Sequence, residues 1–323
     1  MHITNEDLFD EDAKVRLGEG FIVGSNCTIH ASEVVIGKNV LLKDNVKINA
    51  RRVEIGDNVT IGRNFICHVS QDLSFGRNTF LMRDISFTGV SVEIGRDNYF
   101  RENVTIGGGG STNEDSTVSI GDECLICENV LINNARSVKI GSHVGIGKEV
   151  DIWTHGGFMR ALEGFPTVWA PVVIGNNVWI PSRTTVLAGV TIGDDVIIGN
   201  HSLVNRDIPK GAFVAGVPVK VIKENAIPKE LSETQKAEIL SIIVMDYTNE
   251  IMGYKGISAN ISQDGLKVKF NEVVFDCESM EIVGELDDLS EDFRDHLRRN
   301  GIKFFTDSPF RSIDPAGFTK VIK

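Results

Sequence analysis

Three of the seven histidines in the chain share a register: His143, His155 and His201 each lie three residues after an apolar position, Ile140, Ile152 and Ile198. An imidazole, with an ordinary pKa of about 6.5, can take a proton from a reacting hydroxyl near neutral pH. His143 and His201 stand in uninterrupted sequence and read as solvated corner residues. His155 stands in "DIWTHGGF", Asp151 to Phe158, where Gly156 and Gly157 permit close backbone approach and the surrounding pattern breaks. That placement makes His155 the candidate general base. Such a base needs an acceptor to hold its tautomer, and Asp151 or a loop carbonyl could serve. Asp151 precedes the inward position Ile152 and should therefore point outward, as should Trp153 on its other side.

Other chemistry-bearing residues are read in the same frame. The run Gly107 to Gly110 is no phosphate loop, because no Gly-Lys-Ser/Thr follows it. It suits a loop that lets a ligand come close, with Gly108 at its centre. Asn133 and Asn134 lie between the two breaks in the pattern and are expected, with Gly108 and Trp153, to contact an acceptor. Cys124 and Cys127 have the spacing of half a metal site. Cys124 lies two before the inward Ile126 and Cys127 one after it, so the thiols face different ways and no metal is expected.

The elements that must position these residues come from a repeat of six. Stepping by six from Ile174 meets Ile180, Val186, Ile192, Ile198 and Val204, all apolar. The same row recurs in threes upstream, from Leu17/Val23/Ile29 through Ile55/Ile61/Cys67 to Ile140/Ile146/Ile152, making nine triplets from Leu17 to Val204. The residue two before each apolar position is usually Val, so both face one way on a short strand. Gly, Asn and Asp between them supply turns. Three hexads make one triangular coil of about 18 residues, and stacked coils bury the rows against each other: an all-β solenoid.

The repeat breaks twice. Ile106 to Ile120 is a step of 14, and Ile152 to Ile174 a step of 22. Both breaks follow the third hexad, so both loops should leave the same edge of the prism, two coils and roughly 10 Å apart. Two such loops can wall a cleft.

After Lys223 the texture changes. "PKELSETQKAEILSIIVMDYTNEIM", 228–252, reads as a helix with Ser232 as its cap. "GLKVKF" and "EVVFD" read as strands, "LSEDFRDHLRRNGI" as a helix ended by Gly301, and "IKFFTD" as a further strand. The expected organisation is an N-terminal segment 1–16, a solenoid 17–223 and a small α/β domain 225–323. The net charge of −12 argues against nucleic acid. The acidic start, the lack of an 18-residue apolar run and five scattered cysteines suggest a cytoplasmic chain without a disulfide framework.

The stretch "PVVIGNNVWI…TTVLAGVTIGDDVIIGNHSLVNRDIPKGAFVAGVPVKVIK", Pro171 to Lys223, resembles the carboxy-terminal coils of hexapeptide-repeat acyltransferases, the group of galactoside, maltose and xenobiotic acetyltransferases. The resemblance implies a left-handed parallel β-helix, a homotrimer, and acetyl-CoA as acyl donor. It implies transfer to a hydroxyl of a sugar or surface-polysaccharide precursor with His155 as general base. The alternatives are N-acetylation of an amino sugar, or a non-catalytic solenoid that binds saccharide or scaffolds a complex. The positions matching the family's donor groove are Trp179, Ser182, Arg183, Ala188, Gly189, Lys210, Ala215, Gly216 and Lys220. Pro181 stands where the family commonly has glycine, which removes a backbone donor from that groove.

Overall fold

The computed structural model describes residues 8–110 and 113–313. These divide into two compact units, with the boundary between Pro228 and Lys229.

The first unit is a parallel β-solenoid with three faces. Face 1 stacks nine strands from Lys14–Leu17 to Thr191–Ile192. Face 2 stacks ten parallel strands from Ile22–Val23 to Phe213–Ala215, closed by Lys220–Lys223 running antiparallel. Face 3 stacks nine strands from Thr28–His30 to Leu203–Val204. The predicted rows pair in register coil on coil, as with Ile132, Ile152 and Val186 on face 3. Those side chains fill the lumen with essentially no exposure. Near the wide middle of the lumen Phe65, Phe75, Phe87 and Phe100 pack edge to face, with Phe65 and Phe87 ring centres 5.2 Å apart. The first coil departs from the expected row: Leu17 is 39% exposed. It lies at the end of the stack, where Leu8 and Phe9 pack into the core and Phe9 bridges Ile29 on face 3.

The three edges are not alike, and the difference explains where the chain can be interrupted. At the edge between faces 1 and 2, and again between faces 2 and 3, a left-handed residue makes a tight turn in coil after coil. Asn39, Asn58, Asn78, Asp97, Glu123, His143, Asn177 and Asp195 do so on one edge. Asn26, Asn45, Asn64, Asp84, Asn103, Asn129, Glu149, Arg183 and His201 do so on the other. Asparagine tolerates this backbone because its amide can bond locally, and here it bonds the next coil: Asn26, Asn45 and Asn64 each donate to the residue above at 2.7–3.0 Å. The edge between faces 3 and 1 lacks this repeated turn, and both long interruptions emerge there, after Ile106 and after Ile152.

The outward residues of face 2 form a ladder of a different character. Ile22, Leu41, Thr60, Phe80, Tyr99, Leu125, Gly145, Trp179, Ile197 and Phe213 stack in register from coil to coil. Phe80 and Tyr99 stack face to face at 5.3 Å, and Ile22, Tyr99, Leu125 and Trp179 are exposed.

The second unit opens with the helix Glu233–Asp246, capped by Ser232, whose hydroxyl accepts from the Gln235 N–H while the Gln235 side chain accepts from the Ser232 N–H. The helix runs on through one wide turn, Tyr247–Ile251, to Lys255 and ends at left-handed Gly256. Four antiparallel strands follow: Ile261–Asp264, Lys267–Phe270, Val273–Asp276 and Glu281–Val283. The outer two were not anticipated. The helix Asp288–Arg299 closes the unit and turns at left-handed Gly301. "IKFFTD" is not a strand. Phe304 is buried in the core and its carbonyl accepts from the fully buried Arg294 at 2.9 Å, so the segment's backbone is bonded to a side chain instead of a ladder.

Candidate active site

The shared register of the three histidines conceals two different backbones. His143 and His201 are left-handed corner residues, and His143 pairs with Glu123. His155 instead begins a two-residue antiparallel pairing with Val168–Trp169, so the longer interruption leaves the solenoid as a hairpin and returns to face 1 at Val172. Its tip carries Phe158 and Leu162, both almost fully exposed.

Asn133, at the same edge one coil earlier, ties this hairpin to the first interruption. Its Nδ2 donates to the carbonyls of Gly107, Gly108 and Gly109 at 3.1, 3.2 and 3.1 Å. Three acceptors around Nδ2 settle which way the amide points. Its Oδ1 therefore faces the hairpin, where it lies 2.9 Å from His155 Nδ1 and 2.9 Å from the Thr154 hydroxyl. An amide oxygen can only accept, so His155 carries its proton on Nδ1 and leaves the Nε2 lone pair for chemistry. Thr154, itself fully buried, accepts in turn from the Arg136 N–H at 3.0 Å.

The His155 ring is also held by aromatic packing. Trp169 stacks on it, centroids 4.8 Å apart and planes within 16°, and Trp153 meets it edge-on at 6.0 Å. The first loop reaches the same indole: a Cβ on Gly110 would come 3.0 Å from Trp169 Cζ3 and 2.7 Å from Ala135 Cβ, and Gly110 has φ +72°. Only glycine fits there without strain. Gly108 and Gly109 are exposed at the mouth.

Several sequence-based expectations need correction. The group at His155 Nδ1 is Asn133 Oδ1, not Asp151. Asp151 points outward from face 3 between Leu131 and Thr185 of the neighbouring coils, and partial burial pushes its carboxyl above the usual range. Asn133 and Asn134 were expected to bond an acceptor, but both are fully buried. Asn134 donates to Thr88 O at 2.9 Å and Asn133 is committed as described, so both act on the loops. Trp153 meets the His155 ring edge-on, and the carbonyl of Gly108 is one of the three that Asn133 holds. Thr154, Arg136 and Trp169 were missed. The hairpin that carries Trp169 could have been suspected from the approximate mirror of "WTHGGF" and "FPTVWA" about its tip.

The nine donor-groove residues do not gather in one chain. Ala188 and Gly189 follow the strand that pairs with Ile152, on the His155 edge; the N–H of Trp153 bonds Val186 O, and a Cβ on Gly189 would lie 3.3 Å from Ala170 Cβ. Ser182, Arg183 and Gly216 lie at the edge between faces 2 and 3, where Arg183 is engaged by Glu149 at 2.6 Å, and Ala215 ends a strand of face 2. Trp179 and Lys220 lie on face 2 itself. Lys210 is at the edge between faces 1 and 2, 3.5 Å from Asp195. Cys124 is buried and Cys127 partly exposed. No helix among the described residues is long and apolar enough to cross a membrane.

Comparison with known proteins agrees with the repeat. Residues 171–206 match the family described as bacterial transferase hexapeptide (six repeats). The galactoside O-acetyltransferase of Escherichia coli (strain K12) is 35% identical over 150 residues, 46% of this chain and 62% of that protein. A putative lipopolysaccharide biosynthesis O-acetyl transferase, WbbJ, of the same organism is 35% identical over 119 residues, 32% of this chain and 58% of that one. The chain thus spans about three fifths of the length of these curated relatives. A solved galactoside acetyltransferase in complex with coenzyme A is 29% identical, covering 46% of this chain and 66% of that chain, with a TM-score of 0.36.

Proposed function

From the hexapeptide repeat at residues 171–206 and the likeness to acetyltransferases, we propose that the chain is an acyltransferase that moves an acetyl group from acetyl-CoA to a sugar hydroxyl. The observation that carries this reading is His155, its Nδ1–H spent on Asn133 and its Nε2 free beside two loops. Nε2 takes the hydroxyl proton as the oxygen attacks the thioester carbonyl. The tetrahedral intermediate then expels the coenzyme thiolate, which receives that proton back from the imidazolium. No covalent enzyme intermediate is needed, and the buried thiol of Cys67, pushed well up by burial, is unsuited to form one.

The dispersal of the donor-groove residues over several edges is the reason to infer more than one chain. Gathering them along one pantetheine arm takes a second copy, and a homotrimer fits that need. The exposed ladder on face 2 supplies the packing surface. It repeats at the coil spacing, so the surface most complementary to it is another stack of the same period.

Two measurements test the reading. Coenzyme A should raise the melting temperature of the protein, because it binds the folded state. Thiol release from acetyl-CoA with a panel of sugars should fall by about 10² or more in His155→Ala. Equal release in wild type and variant would sink the assignment. Lability of the product to hydroxylamine would mark an ester, whereas an inert product would mark an amide and an amino-sugar acceptor.

A further inference from the structure

The chain holds 45 acidic residues against 33 basic, and several arginines near other corners have carboxylate partners: Arg51 with Asp72, Arg96 with Asp122, Arg101 with Glu102, Arg183 with Glu149. Arg136 differs. Its guanidinium lies 5.1 Å from the centre of the Trp169 ring and donates from Nη1 to its neighbour's carbonyl, Ala135 O, at 2.7 Å. Among the described residues no carboxylate pairs with it. Its backbone is fixed by Thr154, which also bonds Asn133, and Trp169 is the residue that stacks on His155. A cation is thus held, with most of its N–H groups unspent, within about 10 Å of the candidate base. A mono- or disaccharide covers that span.

Packing against an indole pre-organises a guanidinium, and its planar fork matches the paired oxygens of a carboxylate or phosphate. We propose that the acceptor is an anionic saccharide whose carboxylate or phosphate is held by Arg136 while a hydroxyl of the same molecule reaches Nε2 of His155. The inference rests on the acyltransferase reading and names the acceptor class for that site.

The test compares galactose, galacturonate and galactose 1-phosphate as acceptors with acetyl-CoA. Wild type should favour one anionic sugar over galactose in kcat/KM by about tenfold or more, a charge-assisted hydrogen bond's worth. The preferred anion tells carboxylate from phosphate. Arg136→Gln should bring the ratio close to one, mainly through KM, and Arg136→Lys should keep part of it. Calorimetric titration of the preferred anionic sugar into His155→Ala separates the two ideas, since binding needs no turnover. Binding there that disappears in His155→Ala/Arg136→Gln supports the anion site even if acetyl transfer is absent. Equal use of neutral and anionic sugars by wild type, or a ratio unmoved in a folded Arg136→Gln protein, overturns the proposal.

Discussion

The candidate site turns on one buried amide. Asn133 spends its NH2 on three glycine carbonyls of one loop and its oxygen on the histidine of the other, so it sets the loop spacing and the imidazole tautomer together. An aspartate could not replace it: a second carboxylate oxygen would face three carbonyl oxygens where a donor is required. Asn133→Ala should lower kcat by about tenfold or more, because the ring would be free to turn and to take the other tautomer. KM for acetyl-CoA should change much less, since the residues proposed for the donor groove lie on other coils. A kcat equal to wild type in steady-state assays, with the protein folded, would refute the orienting role.

At the scale of elements, what distinguishes one face or edge from another is a small repeated choice. Two edges repeat a left-handed Asn, Asp or similar residue, while the third does not, and that third edge accepts both insertions. Face 2 repeats a mostly apolar outward residue, whereas face 1 mixes Arg16, Glu54, Ser74, Glu93 and Lys139 with Val35 and Val173 at matching positions. Replacing both Tyr99 and Leu125 by Asp puts charges on the exposed ladder without touching the lumen. If the proposed trimer packs through this ladder, light scattering after size exclusion should show the variant as a monomer with the melting profile of the solenoid retained. A trimer that survives both substitutions would move the interface to another face.

The whole molecule contains a second unit whose core is built around ionised groups. Asp292 is 1% exposed; burial works against its charge, but bonds from Lys255 Nζ at 2.6 Å, the Ile313 N–H at 2.6 Å and Tyr247 Oη at 2.9 Å hold its carboxyl below the usual range. A carboxyl whose folded pKa is depressed adds stability above its unfolded pKa of about 3.9, and loses that contribution as pH falls through the folded value. Asp292→Asn should therefore cost about 3 kcal/mol at pH 7, since it leaves Lys255 without its partner. Its melting temperature should converge on that of wild type as the pH falls below the usual carboxylate range. A gap that persists at pH 2 would show that the carboxylate charge is not what stabilises the unit.

The sequence alone determined the solenoid, because a period of six in Ile and Val leaves few ways to bury every row, and each inward position was legible from its neighbours along the chain. It also placed both interruptions on one edge and singled out His155, since counting hexads locates a break. What only the tertiary structure decided is who holds that histidine. Asn133, Arg136 and Trp169 come to it from a neighbouring coil and from the far arm of a hairpin, at sequence separations of 22, 19 and 14 residues. Side-chain partners across coils obey the stacking register and the path of loops. Loops carry no period, so Asp151, four residues away, stood beside a loop carbonyl as a candidate orienting group although the strand turns its carboxylate elsewhere.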